Sequence, residues 1–349
     1  PLPLVAAALA VSGFVALVLE VVSTRTLALA LGPTTHAFSL MLSIFIAGLG
    51  AGAMLGARLG RRHARPLAAL GVALLAAATG VILMIALGDR VPLAVGSLIA
   101  DRSASYARVL AAEAWLAAAL LLPAAASLGA AFPLAVSAVA AGDGRISRDA
   151  SVIYAANTAG AIAGSLVAGF VLVPSLGLQR TALLAATLAG LAGLAVLLTA
   201  RPSRATGIAG AIGTAAALAT GWSLPAWNVS IMSGGAYTYA RHAGGDLQAG
   251  LEAGRLAFYK EGASGTVSVR VVAGATSLAI DGKVDASDAG DMLTQALLAH
   301  VPLLLHPDPR SVAIIGLGSG VTLGSALRHP IERADTLEIS QEVVEASAW

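Results

Sequence analysis

The chain has 349 residues, of which 57% are hydrophobic and 11% are charged, and its formal net charge at pH 7 is +2. A soluble globular domain carries about 25% charged residues, so this composition excludes an ordinary water-soluble protein. The sequence has no stripe of basic residues, so it does not predict a nucleic-acid partner. The absence of cysteine excludes disulfides and thiolate metal sites. Since His36, His63 and His242 have no partner at metal-ligand spacing, no metal is predicted.

Long apolar segments fill the first part of the chain. Crossing a bilayer takes about 20 mostly apolar residues, and about seven segments are long enough. They are Leu4–Val22, Ala37–Ala57, Pro66–Leu87, Val109–Ala141, Ala150–Val173, Thr181–Ala200 and Ala205–Trp222. The fourth contains Pro123 and Pro133, which predict a tilted or kinked helix. The sequence thus predicts a transmembrane helical domain over residues 1–224, with the lipid bilayer as its partner.

Arginines in the loops between these segments indicate the orientation of the bundle. One side of the membrane would receive Arg58, Arg61, Arg62, Arg65, Arg145, Arg148, Arg201 and Arg204, and the other Arg25, Arg90, Arg102, Arg108 and Arg180. The first group is larger, which places the N-terminus on the cytoplasmic side of a bacterial-type inner membrane. Seven crossings from that start would leave the C-terminal region outside, so the side that this region faces stays open.

Three polar residues within the predicted spans are candidates for a site inside the bundle. An acid in a span is costly and is by default a functional hypothesis, and Glu20 is such an acid. Tyr154 and Asn157 lie one helical turn apart and could meet Glu20 across a helix pair. A purely structural polar contact fits the pattern equally well. The spacing of Gly160 and Gly164 indicates helix packing rather than chemistry.

Beyond Trp227, charged residues spread at ordinary density and the pattern changes to short strands and helices. The predicted elements are a hairpin of Thr266–Val272 and Ser277–Ile280, a helix over Gly290–Leu305, strands at Val312–Ile315 and Thr336–Ile339, and a helix from Val321. They predict an α/β domain over residues 225–349. It would comprise a small β-hairpin region at about 255–285 and the start of a Rossmann-like, methyltransferase-type sheet at about 290–349. These elements are too few to complete a doubly wound sheet. The domain is therefore expected to be incomplete at its C-terminal end.

A glycine-rich loop, Gly316-Leu-Gly-Ser-Gly320, follows the first of these two later strands. Glycines let the backbone turn tightly and approach a ligand. An acid at the end of the next strand, here Glu338, typically accepts hydrogen bonds from ribose hydroxyls. The loop alone is also compatible with a simple turn in an α/β domain. Its combination with Glu338 favours a nucleotide site.

The residues from about Arg255 onward resemble the polyamine aminopropyltransferases, or spermidine synthases. The resemblance lies in Gly265-Thr-Val-Ser-Val269, Ile280-Asp-Gly-Lys-Val-Asp285, Gly290-Asp-Met292, Thr294-Gln295, His300-Val-Pro-Leu303, His306-Pro-Asp-Pro-Arg310 and the glycine loop. More closely, the chain resembles bacterial membrane proteins in which this domain is fused to a multi-span region. That part of the resemblance lies in Ser12-Gly-Phe14, Glu20, Arg25, Tyr154-Ala-Ala-Asn-Thr158, Gly160 and Gly164.

The resemblance implies transfer of a group from S-adenosylmethionine, or from its decarboxylated form, to an amine. By position, Glu338 would hold the ribose and Gln295 would line the cofactor site. The nucleoside would pass close to the glycine loop (Gly316, Gly318, Ser319, Gly320), and Asp281 would sit at the entrance. The chain departs from the family at Ser319, where spermidine synthases carry Asp, and at Thr294, where Tyr is expected. The acidic catalytic loop would follow Trp349, so the catalytic residues are unknown.

The leading hypothesis is a membrane-anchored transferase that moves an aminopropyl or methyl group to an amine, a polyamine or a membrane-associated acceptor. A transporter with a nucleotide- or polyamine-sensing domain is one alternative. A non-catalytic accessory subunit with a degenerate domain is the other. Association as a homodimer or with a partner in a membrane complex is left open by the sequence.

Overall fold

A computed structural model describes residues 2–62, 65–101, 103–140, 146–242 and 245–349. The chain divides into two compact units. The first comprises Pro1–Ala28, Thr34–Val91 and Ala104–Trp227, and the second comprises Leu29–Pro33, Pro92–Ser103 and Asn228–Trp349. Four residues used in the sequence predictions, His63, Arg102, Ala141 and Arg145, lie outside the described residues.

Helices dominate the chain from Leu2 to Ser223. They are α1 Leu2–Leu31, α2 Thr35–Arg62, α3 Pro66–Leu87, α4 Val91–Ala100, α5 Tyr106–Ala140, α6 Ile146–Val167, α7 Val173–Leu176, α8 Leu178–Thr199 and α9 Arg204–Ser223. A 3₁₀ turn, Gly88–Arg90, joins α3 to α4, and a π-helical segment, Ala168–Leu172, joins α6 to α7. The predicted fourth span is a single helix, α5, with both prolines inside it.

By length and composition, six helical stretches in the described part of the chain could cross a membrane. They are Leu2–Leu31, Thr35–Arg62, Pro66–Ala100, Tyr106–Ala140, Ser147–Leu176 and Leu178–Thr199. The predicted seventh segment, Ala205–Trp222, lies in α9 and is helical, but α9 is not among the six. Its glycines and threonines dilute the apolar residues, so the predicted count of about seven is not reproduced by this criterion.

Glycines set the closest approaches between helices of the first unit. A Cβ atom added at Gly52 of α2 would lie 1.9 Å from the carbonyl oxygen of Ala126 in α5. One added at Gly160 of α6 would lie 1.9 Å from the carbonyl oxygen of Ala10 in α1. Both pairs of helices therefore touch backbone to backbone, an approach that small residues permit. The predicted packing role of Gly160 is confirmed.

The second unit contains two sheets. Its elements after the first unit are α10 Val229–Met232, α11 Ala236–Tyr239, α12 Leu247–Glu252, β1 Arg255–Glu261, β2 Thr266–Val272, β3 Ala275–Ile280, β4 Lys283–Ser287, α13 Met292–Leu305, β5 Ser311–Ile315, α14 Val321–Ala326, β6 Arg333–Leu337 and α15 Gln341–Ala346. Strands β1 to β4 form an antiparallel sheet in sequence order, and β5 pairs with β6 in parallel.

The predicted hairpin is confirmed as β2 and β3, joined by the Ala273-Gly274 turn, where both residues have positive φ. Strands β1 and β4 extend it on either side. One face of this sheet is covered by α15, whose Val343 and Ala346 are buried with Val267 and Leu278 in a common core. Helix α13 packs by Ala299 and Leu303 near Ala326 of α14 in a second core.

Candidate functional site

The glycine loop connects β5 to α14 and has three residues with positive φ. These are Gly316, Gly318 and Gly320, with φ values of 88°, 55° and 80°. The parallel pairing continues one step beyond β5, since the Gly316 N–H donates to the carbonyl of Leu337 at 2.8 Å. The left-handed region is open to glycine but strained for other residues. The loop therefore bends sharply at the end of the strand and exposes its backbone.

Glu338 follows β6 directly and binds the glycine loop. Its Oε2 accepts a hydrogen bond from the Leu317 N–H at 2.8 Å, and its Oε1 accepts one from the Ser340 N–H at 2.9 Å. Partial burial alone would raise the pKa of Glu338, but backbone N–H groups, with Leu317 and Ser340 first among them, hold it below its usual value. Each carboxylate oxygen accepts more than one hydrogen bond, so the ionised group can still bind a pair of hydroxyls.

Gln295 of α13 ties the glycine loop to the antiparallel sheet. Its Oε1 accepts from the Ser319 hydroxyl at 2.5 Å, and its Nε2 donates to the Ser287 carbonyl at 2.8 Å. The Thr322 hydroxyl donates to the backbone carbonyl of Gln295 at 2.9 Å. The predicted residues Gln295 and Ser319 thus meet in one hydrogen-bonded group, and neither of these two side chains is charged.

A cavity of about 180 Å³ opens beside the loop. Its walls comprise Ser319 and Val321 at the loop, Val269, Thr276, Leu278, Ala286, Ser287 and Asp288 at the sheet, and Ala346, Ser347 and Trp349. Ligand pockets usually measure about 300–1,000 Å³, so this one accommodates part of a nucleotide rather than all of it. The cavity is mainly apolar, with hydroxyls and one carboxylate at its edge.

Ser287 and Asp288, which the sequence pattern did not single out, contribute polar groups to this cavity. The Asp288 carboxylate accepts from the Thr276 N–H at 2.8 Å, and Ser287 is hydrogen-bonded through its hydroxyl to Asp291. Their signal in the sequence was the pair of acids, Asp288 and Asp291, just before the helix at Met292. Two acids so close to a helix start are common as caps, so the pattern alone did not single them out.

Asp281 lies in the turn between β3 and β4, with a φ of 49°. Its carboxylate accepts from the Thr266 N–H at 2.8 Å, and its carbonyl accepts from the Tyr237 hydroxyl at 3.0 Å. It is not among the residues that line the cavity beside the loop. The structure therefore shows Asp281 fixing the end of the sheet, and its predicted role at an entrance stays a prediction.

A larger cavity of about 690 Å³ lies along α13, near Leu303, Pro309 and Ile314. Its size alone would make it the default ligand site. We assign less weight to it because the glycine loop, Glu338 and Gln295 all lie elsewhere. Its polar lining residues, among them His306, Asp308 and Arg310, are not the ones that the glycine loop and Glu338 bring together.

The three polar residues predicted inside the bundle are not joined by any hydrogen bond among the described residues. Tyr154 is 63% exposed, and its ring packs edge-on against Phe132. The backbone carbonyl of Asn157 faces Gly13, two helical turns before Glu20. Glu20 itself is partly buried in α1. Their grouping as one site remains a prediction.

Part of the second unit is similar to proteins of a known family. Residues 292–348 match the spermine/spermidine synthase domain. The chain is 48% identical over 71 residues to polyamine aminopropyltransferase 1 of Aquifex aeolicus, and that stretch is 20% of this chain and 25% of the relative. It is 44% identical over 71 residues to the polyamine aminopropyltransferase of Caldicellulosiruptor saccharolyticus, covering 20% and 26%.

Solved structures give a similar match of limited extent. The chain is similar to spermidine synthase from Thermotoga maritima, with 30% identity, a TM-score of 0.26, and coverage of 27% of this chain and 34% of that one. The same values describe its similarity to a spermidine synthase in complex with the transition-state analogue AdoDATO. The chain spans about a quarter of the length of the curated relatives that it matches. Its C-terminal part thus contains a spermidine synthase domain, which follows a long, apolar helical region.

Proposed function

We propose that the chain is a membrane-anchored transferase of the spermidine synthase type. It would bind decarboxylated S-adenosylmethionine, or S-adenosylmethionine, at the glycine loop and transfer the aminopropyl or methyl group to an amine or a membrane-associated acceptor. The observation that carries this proposal is the hydrogen bond from the Leu317 N–H to Glu338. It holds a carboxylate beside a loop whose backbone is open to a ligand.

The bound nucleotide would place its ribose hydroxyls on Glu338. The hydrogen bonds that lower the pKa of this group keep it ionised at neutral pH, where a carboxylate accepts hydroxyl hydrogen bonds most strongly. The ligand AdoDATO of a similar solved structure is a transition-state analogue, which supports an adenosyl nucleotide here. The uncharged pair of Ser319 and Gln295 would contact the ligand next to the ribose.

The reaction requires little covalent work from the protein. The neutral amine nitrogen attacks a carbon bonded to the sulfonium sulfur, so a C–N bond forms, the C–S bond breaks and a neutral thioether leaves. The nitrogen then loses a proton to a base. Alignment of the two reactants supplies the main acceleration, because the sulfonium is already a good leaving group.

Membrane anchoring is supported by the apolar surface of the helices. Ile46, Met54, Ile162 and Phe170 are each more than half exposed, although they lie within apolar helical stretches. Of the most apolar window of α2, only 22% is buried within the protein. Such a surface needs lipid to cover it. We therefore propose the inner membrane of a bacterial-type cell as the location.

Calorimetry on the purified full-length protein in detergent tests the nucleotide part of the proposal. Decarboxylated S-adenosylmethionine or S-adenosylmethionine should bind at one site per chain. A transfer assay with a diamine acceptor should then release the thioether product. Failure of both nucleotides to bind would overturn the proposal. Binding without any transfer would support the non-catalytic accessory alternative instead.

A further inference from the structure

The direction of each helix in the first unit follows from contacts inside that unit. A single buried cluster unites Val5, Leu9, Leu70, Leu74, Ala131, Leu134, Val139, Ile153 and Val196, with Leu59 packed against it. These residues come from the beginnings of α1, α3 and α6 and from the ends of α2, α5 and α8. One end of the bundle therefore holds the N-terminal ends of three helices and the C-terminal ends of three others.

Pairwise contacts confirm this alternation. Gly160 of α6 faces Ala10 of α1, and Gly164, four residues on, faces Phe14. These two helices therefore run in parallel. In the pair α3 and α8, Gly71 faces Gly193 whereas Ala78 faces Gly190, so these helices are antiparallel. Directions alternate along the chain as they do in a bundle with short connections.

Helix α9 runs the length of the same bundle. Near its start, Gly210 contacts Leu197, at the end of α8, and near its finish Gly221 contacts Leu183 and Ile82. The chain then reaches Trp227, whose indole N–H donates to the Ile85 carbonyl at 2.8 Å, close to the finish of α3. The chain therefore leaves the first unit at the end opposite the cluster. This holds although α9 is not among the six stretches that could cross a membrane by length and composition.

Unit membership gives an independent indication of the same exit. The second compact unit contains the last residues of α1 with the turn after it, Leu29–Pro33, and the segment after α3, Pro92–Ser103, together with Asn228–Trp349. Within that unit, a Cβ atom at Gly32 would lie 2.7 Å from the Tyr237 ring, and the Arg241 Nε donates to the Ile99 carbonyl at 3.1 Å. The finishes of α1, α3 and α9 therefore all continue into the same unit.

Arginines distinguish the two ends of the bundle. We define the arginine end as the one that holds the cluster and, among the described residues, Arg58, Arg61, Arg62, Arg65, Arg148, Arg201 and Arg204. The described arginines toward the other end are Arg25, Arg90, Arg108 and Arg180. Arginine and lysine in short loops are retained on the cytoplasmic side during insertion.

We infer that the spermidine synthase domain lies on the side of the membrane opposite the arginine end, facing away from the cytoplasm. The inference rests on the membrane location proposed above and is independent of nucleotide binding. This location determines how the acceptor and the nucleotide can reach the domain. A transfer reaction at this site needs an acceptor on the outer side, and a nucleotide made in the cytoplasm has to be transported across the membrane before the domain can use it.

Single cysteines test the inference cleanly, because residues 1–349 contain none. Ala249→Cys reports on the domain, and Ala205→Cys, at the start of α9, reports on the arginine end; both positions are exposed. A membrane-impermeant maleimide applied to intact spheroplasts should label Ala249→Cys and spare Ala205→Cys. After detergent permeabilisation, both should label fully. Ser264→Cys, also exposed, replaces the domain variant if Ala249→Cys does not accumulate.

Other labelling patterns overturn the inference. Labelling of both variants, or of neither, before permeabilisation would contradict opposite sides. Labelling of Ala205→Cys alone would place the domain on the cytoplasmic side and so overturn the inferred orientation. Loss of the protein from sedimented membranes after alkaline carbonate washing would overturn the membrane location as well. That outcome is seen in the fractionation and not in the labelling, so the two failures are distinguishable. Neither result depends on whether the purified protein binds a nucleotide.

Discussion

Glycine serves opposite purposes in the two regions of this chain. In the bundle, Gly52 and Gly160 are crowded, since an added Cβ atom would lie 1.9 Å from a neighbouring carbonyl oxygen in each case. In the domain, Gly316 has no atom within 4 Å of an added Cβ, but its φ is +88°. In the bundle, glycine matters because it has no side chain to separate two closely packed helices. The loop uses it for the backbone conformation that it allows.

The difference teaches how each region fails when it is changed. A crowded glycine fixes the distance between two helices, so its replacement disturbs the packing of a whole interface. A glycine with positive φ fixes a local turn, so its replacement strains a few residues and the ligand that they meet. Substitutions of the same residue type should therefore affect stability in one region and binding in the other.

The largest effect is expected in the bundle. Gly52→Ala should destabilise the protein by about 3 kcal/mol, since α2 and α5 must separate to admit the methyl group. The matched control is Gly50→Ala on the same helix, where nothing lies within 4 Å. Thermal unfolding in detergent should show a lower midpoint for Gly52→Ala and an unchanged or higher one for Gly50→Ala. Equal midpoints would contradict the close contact.

The next largest effect concerns the carboxylate beside the loop. Glu338→Ala should weaken nucleotide binding by about 10- to 100-fold, because hydrogen bonds to a charged group contribute about 1.5–3 kcal/mol. The control is Glu345→Gln, which removes an exposed ion pair with Lys260 and should leave affinity unchanged. Calorimetry gives both constants. If the two variants bound nucleotide equally well, Glu338 would have no part in the site.

A smaller effect is expected within the loop. Gly318→Ala should cost about 1–2 kcal/mol, the strain of a Cβ atom in the left-handed region, and should reduce nucleotide affinity about tenfold. Gly324→Ala is the control, since this glycine lies in α14 with no neighbour within 4 Å. An unchanged affinity for Gly318→Ala would show that the ligand does not depend on the loop conformation.

The smallest effect is a pH dependence of stability. The folded-state pKa of Glu338 lies below its usual value of 4.5, so the unfolded chain binds the proton more readily. The stability that this group contributes is present above pH 4.5 and is lost as pH falls through the folded-state pKa. Unfolding titrations between pH 5 and 3, a range set around that value, should show a shallower loss for Glu338→Gln than for the native protein. A steeper loss of stability in the variant would contradict this prediction.

Local patterns predicted much of the domain. Strand β5, the glycine loop and Glu338 all lie within residues 311–338, so their arrangement depends on short-range turns that the sequence displays. The contact between Ser319 and Gln295 could not be predicted. It joins residues from a helix and a loop whose mutual placement depends on how α13 packs on its neighbours.

In the bundle, the sequence predicted the lengths of the helices better than it predicted which helices pack together. Periodicity does not say which helix faces which, so the orientation of Tyr154 toward the surface and of Asn157 toward Gly13 was not foreseen. The prolines of α5 both lie inside one continuous helix, and the predicted tilt or kink stays a prediction. Ser127 and Ser137 donate to the carbonyls of Pro123 and Pro133 one turn earlier, in a pattern common in apolar helices.

Hydrogen exchange tests most directly the central claim that the glycine loop with Glu338 is the nucleotide site. Exchange is measured by mass spectrometry on the full-length protein, with and without saturating decarboxylated S-adenosylmethionine. The account predicts slower exchange in peptides that span residues 314–320 and 336–340, with no change in α2 or α5. Saturating nucleotide that left both peptides unchanged, or that protected only the helices of the bundle, would contradict it.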